Sequence, residues 1–306
     1  MRLMLSMLFV FACSSKGSDP APAPTSTDTK PVPTAGKLRI GATLHPYFSW
    51  TSNVVAGVPN IEVISILPGE VDAGSYQPSP DDIAKLSKLD AIVVNGIGHD
   101  DFIKDMIKAS GNTKLVIIEA NAETPLINYA RGEGKNSHSF ISFTNAIQQS
   151  RSIAKKLGEL RPAQADAFRK NASIYADKLR AIQDSAAKQL AKAKVKKVVT
   201  VHDGYSYFLQ EFGIELAGVV QPSHGLVPSA KELGDMIELI KSKGVTVVLS
   251  EEDFPDKLLQ ALRDATKAKV YIISHVATGA YTAEKFDVEM KANAEALVKA
   301  LVTDPS

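Results

Sequence analysis

From residue 37 onward the chain alternates short apolar, β-branched runs with segments of helical period, and that alternation leaves few folds open to it. In the first half the strand candidates are residues 38–44, 61–67, 91–95 and 114–119. Helix candidates lie between them at 80–89, where Ile83, Leu86 and Leu89 share one stripe, and at 101–109. The second half repeats the plan, with strands at 197–202, 214–220, 245–250 and 269–274 and helices at 204–212, 228–242, 255–267 and 283–301. Strands that are apolar nearly throughout, each followed by a helix, belong in parallel sheets covered on both faces. The expected fold class is α/β: two Rossmann-like lobes with parallel sheets, joined by a long rigid spine helix.

The spine is read from the segment between the two blocks. Residues 144–160 have helical period, Pro162 suits a first helical turn, and residues 163–194 contain neither Gly nor Pro. Phe168, Ile174, Leu179 and Ile182 anchor this stretch. Connections in compact α/β domains usually take about 2–6 residues. So long a helical connection makes a rigid spine rather than a flexible hinge. The expected layout is an N-terminal lobe over 37–143, a spine over 144–194 and a C-terminal lobe over 195–306.

The 306 residues suffice for two domains, and 44% hydrophobic with 23% charged residues suits a packed core. A formal net charge of +1 offers nothing to attract nucleic acid or an anionic membrane surface. Nothing after residue 13 is apolar for long enough to span a bilayer. The N-terminus differs. MRLMLSMLFVFA precedes the single cysteine, Cys13, and Val10-Phe11-Ala12-Cys13 reads as a lipobox closing a signal peptide over 1–13. The competing reading is an incidental N-terminal thiol. Residues 14–36 are rich in Pro, Ser, Thr and Ala without apolar periodicity, which describes a disordered tether. Together these predict a lipoprotein of the cell envelope, periplasmic or extracytoplasmic, touching the membrane only through acylated Cys13.

Six histidines carry the functional signal. His45 follows the first strand, His99 the third, His202 ends the fifth and His275 the eighth. His138 lies just before the spine, and His224 in the loop after the 214–220 strand. Carboxyl ends of parallel strands are where open α/β sheets bind ligands. Neutral imidazole is the commonest metal ligand and suits zinc, copper and nickel. Any one such histidine could equally be a loop residue bonded to backbone. Several at equivalent strand ends favour a metal site between the lobes. Enzymatic alternatives lack support: there is no G-x-S-x-G elbow and no glycine-rich phosphate loop after the first strand. His202-Asp203 could be a hydrolase pair, or Asp203 could simply sit near a helix N-terminus. No enzyme is expected.

Four stretches, in order, resemble the metal-specific solute-binding proteins of bacterial ABC importers, the zinc and manganese group. They are LPGEVDAGSYQPSPDDIAKLSKLDAIVVNGIGHDDF, HSFISFTNAI, VTVHDGYSYFLQEFGIEL and VVLSEEDFPDKLLQALRDATKAKV. The resemblance covers about residues 38–302. It implies two lobes, a spine helix, metal at the lobe interface and delivery to a membrane permease by a monomeric carrier. It puts His138 and His202 at two family ligand positions. It also exposes departures. Gly74 stands where the family's first ligand histidine precedes Tyr76, and Ser274 stands where an aspartate or similar group is usual, with His275 next. A site rebuilt with His99, His45 or His275 is the expected consequence. The expected ligand set is therefore His138, His202, His99, His45 and His275, with His224 set aside.

Glu251 and Glu252 resemble the family's strand-end glutamate, although helix N-terminal charge or a salt bridge would explain them as well. Asp72 and Asp100 share that ambiguity. Tyr47, Phe48 and Trp50 read as packing beneath the cleft. A histidine-dominated site favours Zn2+ over Mn2+, which prefers oxygen ligands, while Cu2+ or Ni2+ would tolerate the same set. Two other functions stay open: a surface metal-scavenging lipoprotein or adhesin without transport, and a binder of a chelated metal such as a metallophore.

Overall fold

All eight expected strands form, and they pair in two sheets with the same order. β1 (Leu38–Ala42) lies between β2 (Ile61–Ser65) and β3 (Ala91–Val94), and β4 (Val116–Glu119) closes the order β2-β1-β3-β4. β5 (Lys197–Thr200), β6 (Glu215–Val219), β7 (Val247–Ser250) and β8 (Lys269–Ile272) repeat it as β6-β5-β7-β8. Every pairing is parallel: Leu38 faces Ile61, Ile40 faces Ala91, and Val199 faces Val248. Most strands end one or two residues earlier than the apolar runs suggest. The residues just past those ends belong to the loops that build the site.

This computed structural model describes residues 36–71, 73, 76–130, 132–221 and 226–304. The expected signal peptide and lipobox with Cys13, the tether up to residue 35, and Asp72, Gly74 and His224 lie outside the described residues.

The helices are α1 (His45–Val54), α2 (Pro80–Leu86), α3 (Phe102–Ser110), α4 (Phe143–Leu160), α5 (Ala165–Leu190), α6 (Ser206–Glu211), α7 (Ala230–Lys243), α8 (Asp256–Thr266) and α9 (Lys285–Val298). α1 carries no clear mark in the sequence. Its HPYFSWTSNV is poor in strong helix formers, and seven of its ten residues are buried. Packing rather than propensity holds such a short helix. No described helix is long and apolar enough to cross a membrane.

The segment expected as one spine is two helices, α4 and α5, separated by a 3-10 turn at Pro162–Gln164 and packed along each other. α5 has 26 residues and so spans about 39 Å. The start of α4 is tied to the second lobe. Glu211, the last residue of α6, accepts from Ser142 Oγ at 2.7 Å, from Phe143 N at 3.1 Å and from Thr144 N. A carboxylate there satisfies amides that a helix start leaves without intrahelical partners.

The main core runs through both lobes by way of the spine. Trp50 and Tyr47 of α1, Phe143 of α4, Phe168 of α5, Phe208 of α6 and Phe286 of α9 are all fully buried in it. Trp50 meets Phe286 edge-on at 5.0 Å, which joins the first lobe to the last helix. A second, smaller core, with Val201, Val248, Ile240 and Leu262, packs α7 and α8 on the second sheet. A continuous core resists wide separation of the lobes, so any opening must be local.

Candidate metal centre

The strand order sets where side chains can converge. In each lobe the chain leaves the first strand for one side of the sheet and later crosses to the other. The crevice between those two strands is the usual ligand site of an open parallel sheet. In the second lobe that crevice lies between β5 and β7, and His202 and Glu251 stand just past their two ends. Glu251 Oε1 is 2.7 Å from His202 Nδ1 and also accepts from Tyr205 Oη at 2.6 Å. A carboxylate accepts only, so His202 carries its proton on Nδ1 and presents Nε2 as a lone pair. Burial, first, and the nearby Glu251 charge hold the Tyr205 phenol well above its ordinary range, so it stays a donor. The ring lies directly over Gly204, where a Cβ would come within 2.5 Å of His202 Cε1. Only glycine permits that approach.

His138 lies in the long loop between β4 and α4. Asn136 sets its orientation. Asn136 Oδ1 accepts from His138 N and from His138 Nδ1, both at 2.9 Å. The amide is held the right way round because Asn136 Nδ2 donates to Asp203 O at 2.9 Å. Tyr207 Oη adds a bond to Asn136 O at 2.8 Å, and Ala130 N one to Asp203 Oδ2 at 2.6 Å. This loop of the first lobe is thus seated on the second lobe, and His138 too is left with Nε2 as a lone pair.

The two lone pairs face each other. His138 Nε2 and His202 Nε2 are 3.1 Å apart, with ring centroids at 4.7 Å. Two imidazole lone pairs at that separation repel unless a proton or a metal ion sits between them. The spacing suits a shared metal: Zn–N bonds of about 2.0–2.1 Å imply N···N of about 3.3 Å in a tetrahedral site. Octahedral angles at similar bond lengths imply about 2.9 Å.

His275, just after β8, completes the second lobe's contribution, with ring centroids 4.7 Å from His202 and 5.1 Å from His138. His99 arrives from beyond β3. It adopts φ of 71°, in a turn where Gly96 and Gly98 also have positive φ. Asn95 fixes that turn by donating from Nδ2 to Gly98 O at 2.7 Å and to Ser137 O at 2.9 Å. One side chain therefore registers the His99 turn against the His138 loop. The ligand nitrogens of His99, His138 and His275 all lie within 4.8 Å of one another. His202 adjoins this group through His138 and His275, so histidines from four separate loops, two per lobe, are drawn together.

His45, expected to join them, is brought elsewhere. It opens α1, its Nε2 lies 2.9 Å from Gly279 O, and its ring stacks on Tyr281 at 3.8 Å. A carbonyl oxygen only accepts, so His45 Nε2 carries a proton in this arrangement. The acidic candidates sort as sharply. Asp100 turns away to accept from Thr43 Oγ1 at 2.6 Å and Asn95 N at 2.7 Å, and burial pushes its carboxyl above the usual range. Glu252 is exposed, whereas Glu251 is buried against His202. Ser274 is committed to α9: its N donates to Asn293 Oδ1 at 2.6 Å and its hydroxyl to Glu289. Asn95, Asn136 and Tyr205 escaped the sequence reading, because an asparagine or tyrosine near a histidine is too common to mark a site.

The model of the ZnuA family, described as zinc-uptake complex component A periplasmic, matches residues 40–300. The zinc-binding lipoprotein AdcA of Streptococcus pneumoniae is 24% identical over 88% of this chain, which spans only 53% of AdcA. The manganese-binding lipoprotein MntA of Bacillus subtilis is 26% identical over 89% of this chain and 87% of its own length. Among solved structures, the solute-binding protein FpvC of Pseudomonas aeruginosa in complex with Ni2+ superposes with a TM-score of 0.82. It is 39% identical, over 88% of this chain and 98% of that one. The complex of FpvC with Mn2+ gives a TM-score of 0.81 at 40% identity, over 87% and 98%.

Proposed function

Because the chain belongs to the ZnuA family of zinc-uptake component A proteins, we propose that it captures one divalent transition-metal ion between its lobes through His99, His138, His202 and His275. One observation carries the reading: the Nε2 atoms of His138 and His202 face each other at 3.1 Å while both Nδ1 atoms already donate elsewhere. An all-imidazole set with its carboxylate one bond removed favours zinc over manganese, and nickel or copper could use the same nitrogens. The ion would then pass to the permease of an ABC importer, the role that family membership suggests. The relatives named as lipoproteins support an envelope location with Cys13 acylated. Stripped of metal and titrated with Zn2+, the protein should bind one ion per chain. Crystals of the loaded protein should show an anomalous peak at the zinc edge among these four rings. A peak elsewhere, or no saturable binding, would refute the assignment.

Proton and metal compete for the same Nε2 lone pairs. Protonating an imidazole removes its lone pair and must therefore oppose binding. Zinc affinity should be steady above neutrality and fall at least about tenfold between about pH 7 and pH 5. Competition with a pH-independent chelator measures this. A flat profile would mean that carboxylates, not imidazoles, hold the ion.

A further inference from the structure

His275 is carried by the connection between β8 and α9, and that connection is gripped by the opposite lobe. His45 Nε2 donates to Gly279 O at 2.9 Å, and the His45 ring lies flat on Tyr281, with 5° between planes. Gly279 N donates to Gly69 O at 2.8 Å, and a Cβ on Gly69 would overlap the Gly279 carbonyl oxygen. Ser49 Oγ and Asn53 Nδ2, both on α1, donate to Ala283 O at 2.6 and 2.7 Å. α1 thus holds both ends of residues 279–283. Between this grip and His275 lies Val276, whose φ is 57°. A β-branched residue seldom adopts the left-handed region and stays there only where its surroundings compel it.

We propose that His45 is not a ligand but a positioning residue: with Tyr281 it latches the 276–283 strap to the first lobe and holds His275 in the cluster. Release of this strap lets metal in and out. The continuous core keeps the lobes together, so exchange needs a local opening. The strap, like the His138 loop, is attached across the lobe boundary beside a proposed ligand. Its contacts with the first lobe are one backbone bond, a ring stack and side-chain donors from one helix, a set that can be broken without disturbing either sheet.

The consequence for metal rests on the proposed function, but the latch itself can be tested without metal. Hydrogen exchange in the metal-free full-length chain should quicken across 276–283 in His45→Ala and remain close to wild type in His45→Gln, whose amide can still donate to Gly279 O. Gly69→Ala, on a different loop, should quicken the same segment. Zinc loaded on the wild type and lost to excess chelator should leave about tenfold faster from His45→Ala and Gly69→Ala, and within about threefold of wild type from His45→Gln. The d–d spectrum of the Co2+-loaded protein should be the same in His45→Gln as in wild type. Unchanged exchange and zinc loss in His45→Ala would overturn the latch. A cobalt spectrum altered equally in both His45 variants would make His45 a ligand and overturn it as well. If wild type binds no zinc, the proposed function fails, and exchange over 276–283 still decides the latch.

Discussion

His202→Ala is expected to weaken zinc binding by about 10²-fold or more while leaving the fold intact. Binding free energies of about 10–16 kcal/mol shared among four ligands give each about 3 kcal/mol, or about 10²-fold in affinity. His202 should stand at the upper end, because its removal also leaves Glu251 buried without the imidazole it accepts from. His138→Ala should have an effect of similar size, with Asn136 Oδ1 still bonded to the residue 138 amide. Chelator-competition titrations of each variant against wild type, with melting curves alongside, test this. If either variant binds zinc within about threefold of wild type at unchanged stability, the ion is not held between these two rings.

Glu251→Ala is expected to lower zinc affinity by about 10- to 100-fold without changing the stoichiometry of one ion per chain. In the proposed site the carboxylate touches the His202 ring rather than the ion. It fixes the Nδ1–H tautomer and aims Nε2 at the cluster. Glu251→Gln keeps an accepting oxygen but loses the charge, so its loss should lie near the lower end of that range. Tyr205→Phe removes the second bond to Oε1 and should be milder still. If Glu251→Ala instead abolished binding as fully as His202→Ala, or altered the Co2+ spectrum in the Gln variant, the carboxylate would be a direct ligand. That outcome would shift the expected preference toward harder ions such as manganese.

The division of labour between Glu251 and the histidines bears on metal choice. In the proposed site Glu251 Oε1 is engaged by His202 and Tyr205 and is not offered to the ion, which would disfavour manganese. Two further buried carboxylates are similarly engaged: Asp100 holds Thr43 and the Asn95 amide, and Asp203 holds the Ala130 amide and Ser206.

The order of amino acids by itself determined the two parallel sheets, because eight apolar runs separated by helical segments have few other ways to bury both faces. It also determined that histidines gather at one edge, since residues just past parallel strands share that edge whatever the details of the loops. Tertiary structure decided which of them meet. His45 and His99 follow neighbouring strands and look equivalent on paper. Yet His45 begins a helix held by packing and spends its Nε2 on Gly279 O, whereas His99 turns through a left-handed conformation between glycines and joins His138. Side-chain direction follows from φ and ψ, and a non-glycine residue with positive φ carries no reliable mark in sequence. The same holds for Glu251 and Asn136. Their roles depend on a carboxylate and a carboxamide lying within hydrogen-bond distance of one ring nitrogen, a contact set by how the loops fold over the two sheet edges rather than by spacing along the chain.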